Sequence, residues 1–375
     1  MSNTETKKHA KLNYMNVFRA IAIIIIVGGH TFGGNCANPF IKKILGEIFE
    51  NGTVLFVFIS GFLFQYLSDR FEYLNYLKKK VINIIAPYII TSIIGILILL
   101  AFPKLNLFGN LSLFLQIPIF LTTGYYHNGP TWYIPMTTIF FILSAILLKL
   151  EKIHIKNFSL LYLLLPLLII VTIFVPRYQF IDGKTMSVMN YSELYVYLCA
   201  IKAIFIRTVH FLSIYILGMF LSAYKNYIGK LYKYRLILFV AMVLLSVFSV
   251  LGPVHNGTLS KIVLTLILLG YLYHYDEVIL KHEKINNCFD IIAKYSFSIF
   301  FIHFYLISLT HFIMKYKLHL SDTVLITDLN SFLLWFALTL VKFIVGFFGS
   351  LLLCIIAKFA LSKIGIKNTR SFIGV

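Results

Sequence analysis

Arg19 and His30 stand in the run NVFRAIAIIIIVGGHTFGG (16–34), whose other residues are mostly apolar. An ionisable group at the centre of a bilayer costs roughly 2.5–3.5 kcal/mol on insertion scales, so such residues face a bundle interior or a polar cavity and commonly mark function. On a helix, the step from position 19 to position 30 returns to nearly the same face, about 16 Å further along the axis. An arginine, which never deprotonates, grips phosphate with a fork of donors. A neutral imidazole in a water-poor cavity serves as general base for a hydroxyl. The pair suits a donor whose phosphates stay at one mouth while a thin arm carries a reactive acyl group inward, which is the shape of acyl-coenzyme A. Gly28 and Gly29, just before His30, allow another backbone or that arm to approach closely. The competing account is that Arg19 snorkels to the lipid headgroups and His30 is a hydrogen-bonded packing residue.

Other helices must hold such a pair, and composition says of what kind. Of 375 residues, 59% are hydrophobic and 13% charged, with a mean hydropathy of +0.87; a chain this apolar needs lipid as its solvent. Hydrocarbon about 30 Å thick takes about 20 helical residues per crossing, so the length holds about ten crossings and no separate soluble domain. The expected fold is an all-α polytopic membrane bundle, a single domain over 1–375. Its spans are placed near 14–34, 52–68, 81–101, 131–149, 158–175, 205–223, 235–252, 259–275, 294–314 and 333–357. The run LSLFLQIPIFLTTG (111–124) is short and interrupted by Pro118, and reads as interfacial or re-entrant. Lys and Arg concentrate in alternate connections, including Lys78, Lys79 and Lys80, then Lys149, Lys152 and Lys156, which places both termini in the cytoplasm. The net charge of +19 is then a topology signal and not a nucleic-acid footprint. Cys36, Cys199, Cys288 and Cys354 include no C-x-x-C pair, so neither a metal site nor a disulfide framework is expected. The leading MSNTETKKHAKLNY passes into an apolar run without a small-residue cleavage motif, as a retained first span does. A composition rich in Lys, Ile and Asn fits a bacterium with an AT-rich genome.

The chain resembles the membrane acyltransferase family 3, whose members O-acylate cell-surface polysaccharides and lipid-linked glycans. Arg19 and His30 match that family's first-helix signature of a basic residue, ten intervening residues and a histidine. LFVFISGFLF (55–64) is similar to its F-F-x-x-S-G-F segment, with Ser60 and Gly61 in the Ser-Gly pair. YLKKKVINIIAPY (76–88) resembles its basic segment, where two arginines three apart usually precede a proline; here Lys80 and Asn83 stand ahead of Pro87, so the second cation is missing. PTWYIPM (130–136), IYILGMFL (214–221), YSFSIFFIHF (295–304) and the tail NTRSFIGV resemble further segments in the family's order.

The resemblance implies an enzyme that moves an acyl group, most often acetyl, from a coenzyme A thioester to a sugar hydroxyl of a polysaccharide or lipid-linked oligosaccharide. Acetyl-coenzyme A would be a donor substrate with no permanently bound cofactor, and the site a bacterial cytoplasmic membrane. Arg19, with Ser60, Gly61 and Lys80, would bind the donor, and His30 would deprotonate the acceptor or transiently carry the acyl group. Trp132, Tyr133 and His303 are candidates for lining the site, with His303 equally able to be a strut between helices. His127, Arg207 and His210 are acceptor-side candidates, the last two weighed against an interfacial role. Rival readings are a succinyl or other short-chain donor, with Arg207 or Lys342 facing its carboxylate; a glycan transporter or flippase, for which broken helices in matching halves would speak; and a silent assembly partner. Contacts beyond these are expected with lipid only, and oligomeric state is left open.

Overall fold

The computed structural model describes residues 12–33, 36, 38–101, 112–124, 130–175, 192–252, 257–320, 324–366 and 368–375. They form helices throughout, apart from one short hairpin. In chain order these are α1 (Asn13–Phe32), α2 (Pro39–Phe49), α3 (Thr53–Tyr66), α4 (Tyr73–Ala101), α5 (Leu113–Thr123) and α6 (Tyr133–Lys152). Strands β1 (His154–Ile155) and β2 (Phe158–Ser159) pair antiparallel, with His154 opposite Ser159. There follow α7 (Leu160–Leu163), α8 (Leu165–Phe174), α9 (Glu193–Ala223), α10 (Asn226–Lys233), α11 (Arg235–Leu251), α12 (Thr258–His274), α13 (Asp276–Lys281), α14 (Glu283–Tyr316), α15 (Leu329–Lys363) and α16 (Arg370–Ile373).

Among the described residues, seven helical segments are long and apolar enough to cross a membrane when α2 and α3 are taken together as Pro39–Tyr66, and eight if α10 and α11, bent by 74°, count as one span. Of the ten expected spans, 158–175 and 259–275 fall on the shorter α8 and α12. α8, with 10 residues, rises about 15 Å, half the hydrocarbon thickness. α5, with 11 residues and Pro118 inside it, is likewise too short to span.

Several spans run longer than expected, α9 and α14 most. α9 and α14 begin at Glu193 and Glu283, because a hydropathy window cannot register polar turns that continue a helix beyond lipid. α2 falls in a stretch expected to be loop. Its start has a local cause: the Asn38 side chain accepts from Phe40 N at 3.0 Å and Ile41 N at 3.2 Å, with Pro39 as the first helical residue, the favoured capping chemistry.

α1 is the central strut. It packs on α14 over much of its length and also touches α2, α3, α12 and α15. Its first turn is tied down by Asn13 Nδ2 donating to Asp276 Oδ1 at 3.1 Å and Asn16 Nδ2 donating to Asp290 Oδ1 at 3.2 Å. Burial holds the Asp276 carboxyl above its ordinary range.

α3 and α9 form the closest helix pair. A Cβ on Gly61 would lie 1.9 Å from Tyr215 O, and one on Gly218 would lie 2.3 Å from Phe58 O. The two backbones therefore meet glycine against carbonyl, as small residues allow in membrane helices. Around this seam Phe18, Phe58, Phe62, Phe140, Phe211 and Phe300 are almost fully buried.

Candidate active site

α1 is unbroken from Asn13 to Phe32, so the axial separation between Arg19 and His30 survives. Each end of the helix gathers its own group of residues.

Around Arg19, α4 brings Lys80 and the C-terminal segment brings Arg370, which lies within charge–charge range of both Arg19 and Lys80. Lys80 Nζ sits 5.0 Å from the Tyr76 ring centroid and 4.7 Å from that of Phe141. These faces hold the ammonium without neutralising it. Directly after Lys80 the helix widens into a π-turn over Val81–Ile85, where Ala86 N–H bonds to Val81 O. Pro87, which lacks an N–H and whose ring crowds the preceding turn, gives a reason for that widening. α16 packs on α4 there. The tail is fastened by Ser298 Oγ donating to Ile373 O and by Thr369 Oγ1 donating to Val375 O. Gly374, at φ +80°, lets the chain end turn in against Phe297.

Around His30 lies a pocket of about 250 Å³ lined by Ile26, Gly29, His30, Phe49, Glu50, Asn51, Gly52 and Thr53. Across from it, the His303 ring centroid stands 5.3 Å from that of His30, with Phe304 at 5.6 Å. His303 is fully buried, and its Nδ1 lies 2.9 Å from Ile299 O. A carbonyl only accepts, so Nδ1 carries the proton. Nε2 is then a bare acceptor, buried and without a hydrogen-bond partner.

From His303 ring contacts run to Phe300, at 6.2 Å between centroids, from Phe300 to Tyr133, at 5.3 Å, and on to Ser60, whose Oγ is 3.4 Å from Tyr133 OH. Ser60 Oγ donates to Phe56 O of its own helix at 2.9 Å. The structure thus groups His30 with His303, and Ser60 with Tyr133, the two pairs joined through Phe300. Gly61 faces the Tyr215 carbonyl across the α3–α9 seam.

Trp132 belongs to another group. Its ring stacks on Phe211 with centroids 6.0 Å apart, and the Arg207 guanidinium lies 4.5 Å from its centroid. His210 is wedged between elements, with Nδ1 donating to Val175 O at 2.6 Å and Nε2 3.0 Å from Thr258 Oγ1. That geometry is a strut joining α8, α9 and α12. His127 lies outside the described residues. Lys342 is buried on α15. Among the described residues, no three His, Cys, Asp or Glu side chains gather as a metal set.

Three residues escaped the sequence reading. Arg370 lies in the recognised tail, but only tertiary packing places its charge beside Arg19. Glu50 was passed over because it sits in a connection. Lys261 is 4% exposed and donates to Glu47 O and Ile48 O at 2.7 Å each. Its position in an otherwise apolar run was a usable signal.

A family model for an acyltransferase domain matches residues 12–359. Over 150 residues the chain is 31% identical to an amino-acid racemase of Enterococcus faecalis, a match covering 38% of this chain and 20% of that protein. The chain thus spans about a fifth of the curated relative it matches. No solved structure matches it.

Proposed function

Because the chain belongs to acyltransferase family 3, we propose that it is a multi-pass O-acetyltransferase of a bacterial cytoplasmic membrane. It takes an acetyl group from acetyl-coenzyme A and passes it to a sugar hydroxyl of a cell-surface polysaccharide or lipid-linked glycan. One observation carries the reading: a single helix offers a cation cluster at one end and, at the other, a histidine opening into a pocket.

Arg19, Lys80 and Arg370 bind the donor's phosphates. Like charges drawn together raise the energy of the empty protein, and a polyanion relieves it. Arg370, delivered by the tail, supplies the second cation that Asn83 leaves out of the α4 segment, and an arginine gives phosphate the bidentate geometry a lysine lacks.

His30 takes the proton of the acceptor hydroxyl as its oxygen attacks the thioester carbonyl. The tetrahedral intermediate collapses by breaking the carbon–sulfur bond, and the proton passes from His30 to the departing thiolate. The products are the acetyl ester and free coenzyme A. His303, whose ring centroid stands 5.3 Å from that of His30, is placed to orient it by packing. Tyr133 OH is the hydroxyl donor to the oxyanion, and Ser60 Oγ, whose own proton goes to Phe56 O, lies beside it.

Donor kinetics test the clamp. Arg19→Ala and Arg370→Ala are each expected to raise the KM for acetyl-coenzyme A by about tenfold or more, equal to about 1.4 kcal/mol, with a smaller change in kcat. An unchanged donor KM in both variants removes the phosphate clamp.

A further inference from the structure

The pocket at His30 has a second charged wall, built with unusual effort. After α2, Glu50 is extended and its N–H donates to Gly46 O at 2.8 Å. Asn51 then takes a left-handed conformation at φ +62°, which asparagine tolerates better than most residues. This turn is fixed from behind by Lys261, whose ammonium holds the last carbonyls of α2 through Glu47 O and Ile48 O. Beside it the Glu47 carboxylate, 4% exposed, accepts from Ser246 Oγ at 3.1 Å and from Ser260 Oγ. Two buried ionisable residues near lipid are costly, and here both serve to hold one turn.

α1 is shaped to receive that turn. A Cβ on Gly29 would lie 2.6 Å from Phe49 O, and one on Gly33 would lie 2.7 Å from Glu50 Cγ and 2.9 Å from Glu50 Oε1. Two glycines one helical turn apart therefore seat the turn beside His30, with the Glu50 carboxylate over Gly33. The approach expected at Gly29 is made by protein backbone and not by the donor.

Resting on the acetyltransferase reading, we infer that Glu50 and Asn51 form the acceptor subsite, and that its ligand is an uncharged polyol: a sugar carrying a free hydroxyl beside the one acylated. The pocket's polar side chains are His30, Glu50, Asn51 and Thr53. As His30 takes one proton, the carboxylate accepts from the neighbouring hydroxyl and the amide both donates and accepts, which is the inventory a vicinal diol satisfies. A carboxylate there repels the phosphate end of the donor, so only the uncharged acyl end comes near. Glu50 fixes which hydroxyl faces His30 and acts as a positioning residue.

The test uses purified full-length protein in lipid discs, labelled acetyl-coenzyme A, and a panel of methyl glycosides with cyclohexanol as the single-hydroxyl control. Wild type should prefer a glycoside. Glu50→Gln, which keeps size and shape, should raise the glycoside KM by about 10- to 100-fold, the range for a hydrogen bond to a charged group. The donor KM should not move. Gly33→Ala, which displaces the carboxylate while retaining it, should reproduce the loss, and the double variant should be no worse than either. An unchanged glycoside KM in Glu50→Gln, or a rise in donor KM instead, overturns the inference.

Equilibrium dialysis of the same labelled glycosides without donor separates the two ideas. If no acetyl is transferred but glycoside binding still depends on Glu50, the subsite stands and the acetyltransferase reading falls. Binding equal in wild type and Glu50→Gln, or absent from both, removes the subsite.

Discussion

His30→Ala is expected to lower acyl transfer by about 10²–10⁴-fold, the usual contribution of a positioned base, while the protein still inserts in the membrane. The reason for retained folding is local. His30 is half-buried at a pocket edge, whereas the contacts that hold α1 come from Asn13, Asn16 and the apolar face. His30→Gln should be equally inactive, since an amide keeps polarity and approximate size but cannot take the proton. His303→Ala should cost less, because His303 acts on the orientation of another ring. Initial rates at saturating donor and acceptor, alongside a size-exclusion profile of each variant, read these effects. Full activity in His30→Ala reassigns the base.

Gly61→Ala is the second large effect, on folding before activity. An added Cβ would meet the Tyr215 carbonyl at 1.9 Å, far inside van der Waals contact, and that obstacle is backbone with no rotamer to yield. α3 and α9 must part along their closest contact, and Gly218 faces the same seam from the other side. Overpacking of a tight interface typically costs about 1–3 kcal/mol and more where backbone must move. We expect a large fall in thermal stability in detergent, with transfer reduced because Ser60 moves with its neighbour. Gly229→Ala is the control: its nearest neighbour would be a tyrosine ring atom at 3.9 Å, so stability should hold or rise through helix propensity. Equal melting of the Gly61→Ala and wild-type proteins contradicts the seam.

What could be read from sequence divides along the range of the forces involved. The Arg19 and His30 pair was legible because one helix fixes it, with no other element consulted. The apolar runs located the long helices for the same reason. Their ends were less legible, since the turns beginning at Glu193 and Glu283 are polar and helical at once. α2 carried its own signals in Asn38 and Pro39, but hydropathy gives an amphipathic 11-residue helix little weight. Gly61 was visible as half of a Ser-Gly pair, yet nothing local says that its neighbour is a carbonyl from α9. Arg370 and Glu50 were beyond reach in principle: one comes to Arg19 from the far end of the chain, and the other reaches His30 through glycines four positions apart on α1.

The central claim is that this chain moves an acetyl group from a thioester to a hydroxyl with His30 as base. The direct measurement gives purified protein in lipid discs acetyl-coenzyme A labelled in the acetyl group, with lipid-linked glycan from a bacterial membrane extract, and follows label and free thiol together. Label should enter the glycan as an alkali-labile ester, matched mole for mole by coenzyme A release, and both should vanish in His30→Ala. Thiol release and glycan labelling that remain at background in the wild-type protein, or that persist undiminished in His30→Ala, would contradict it.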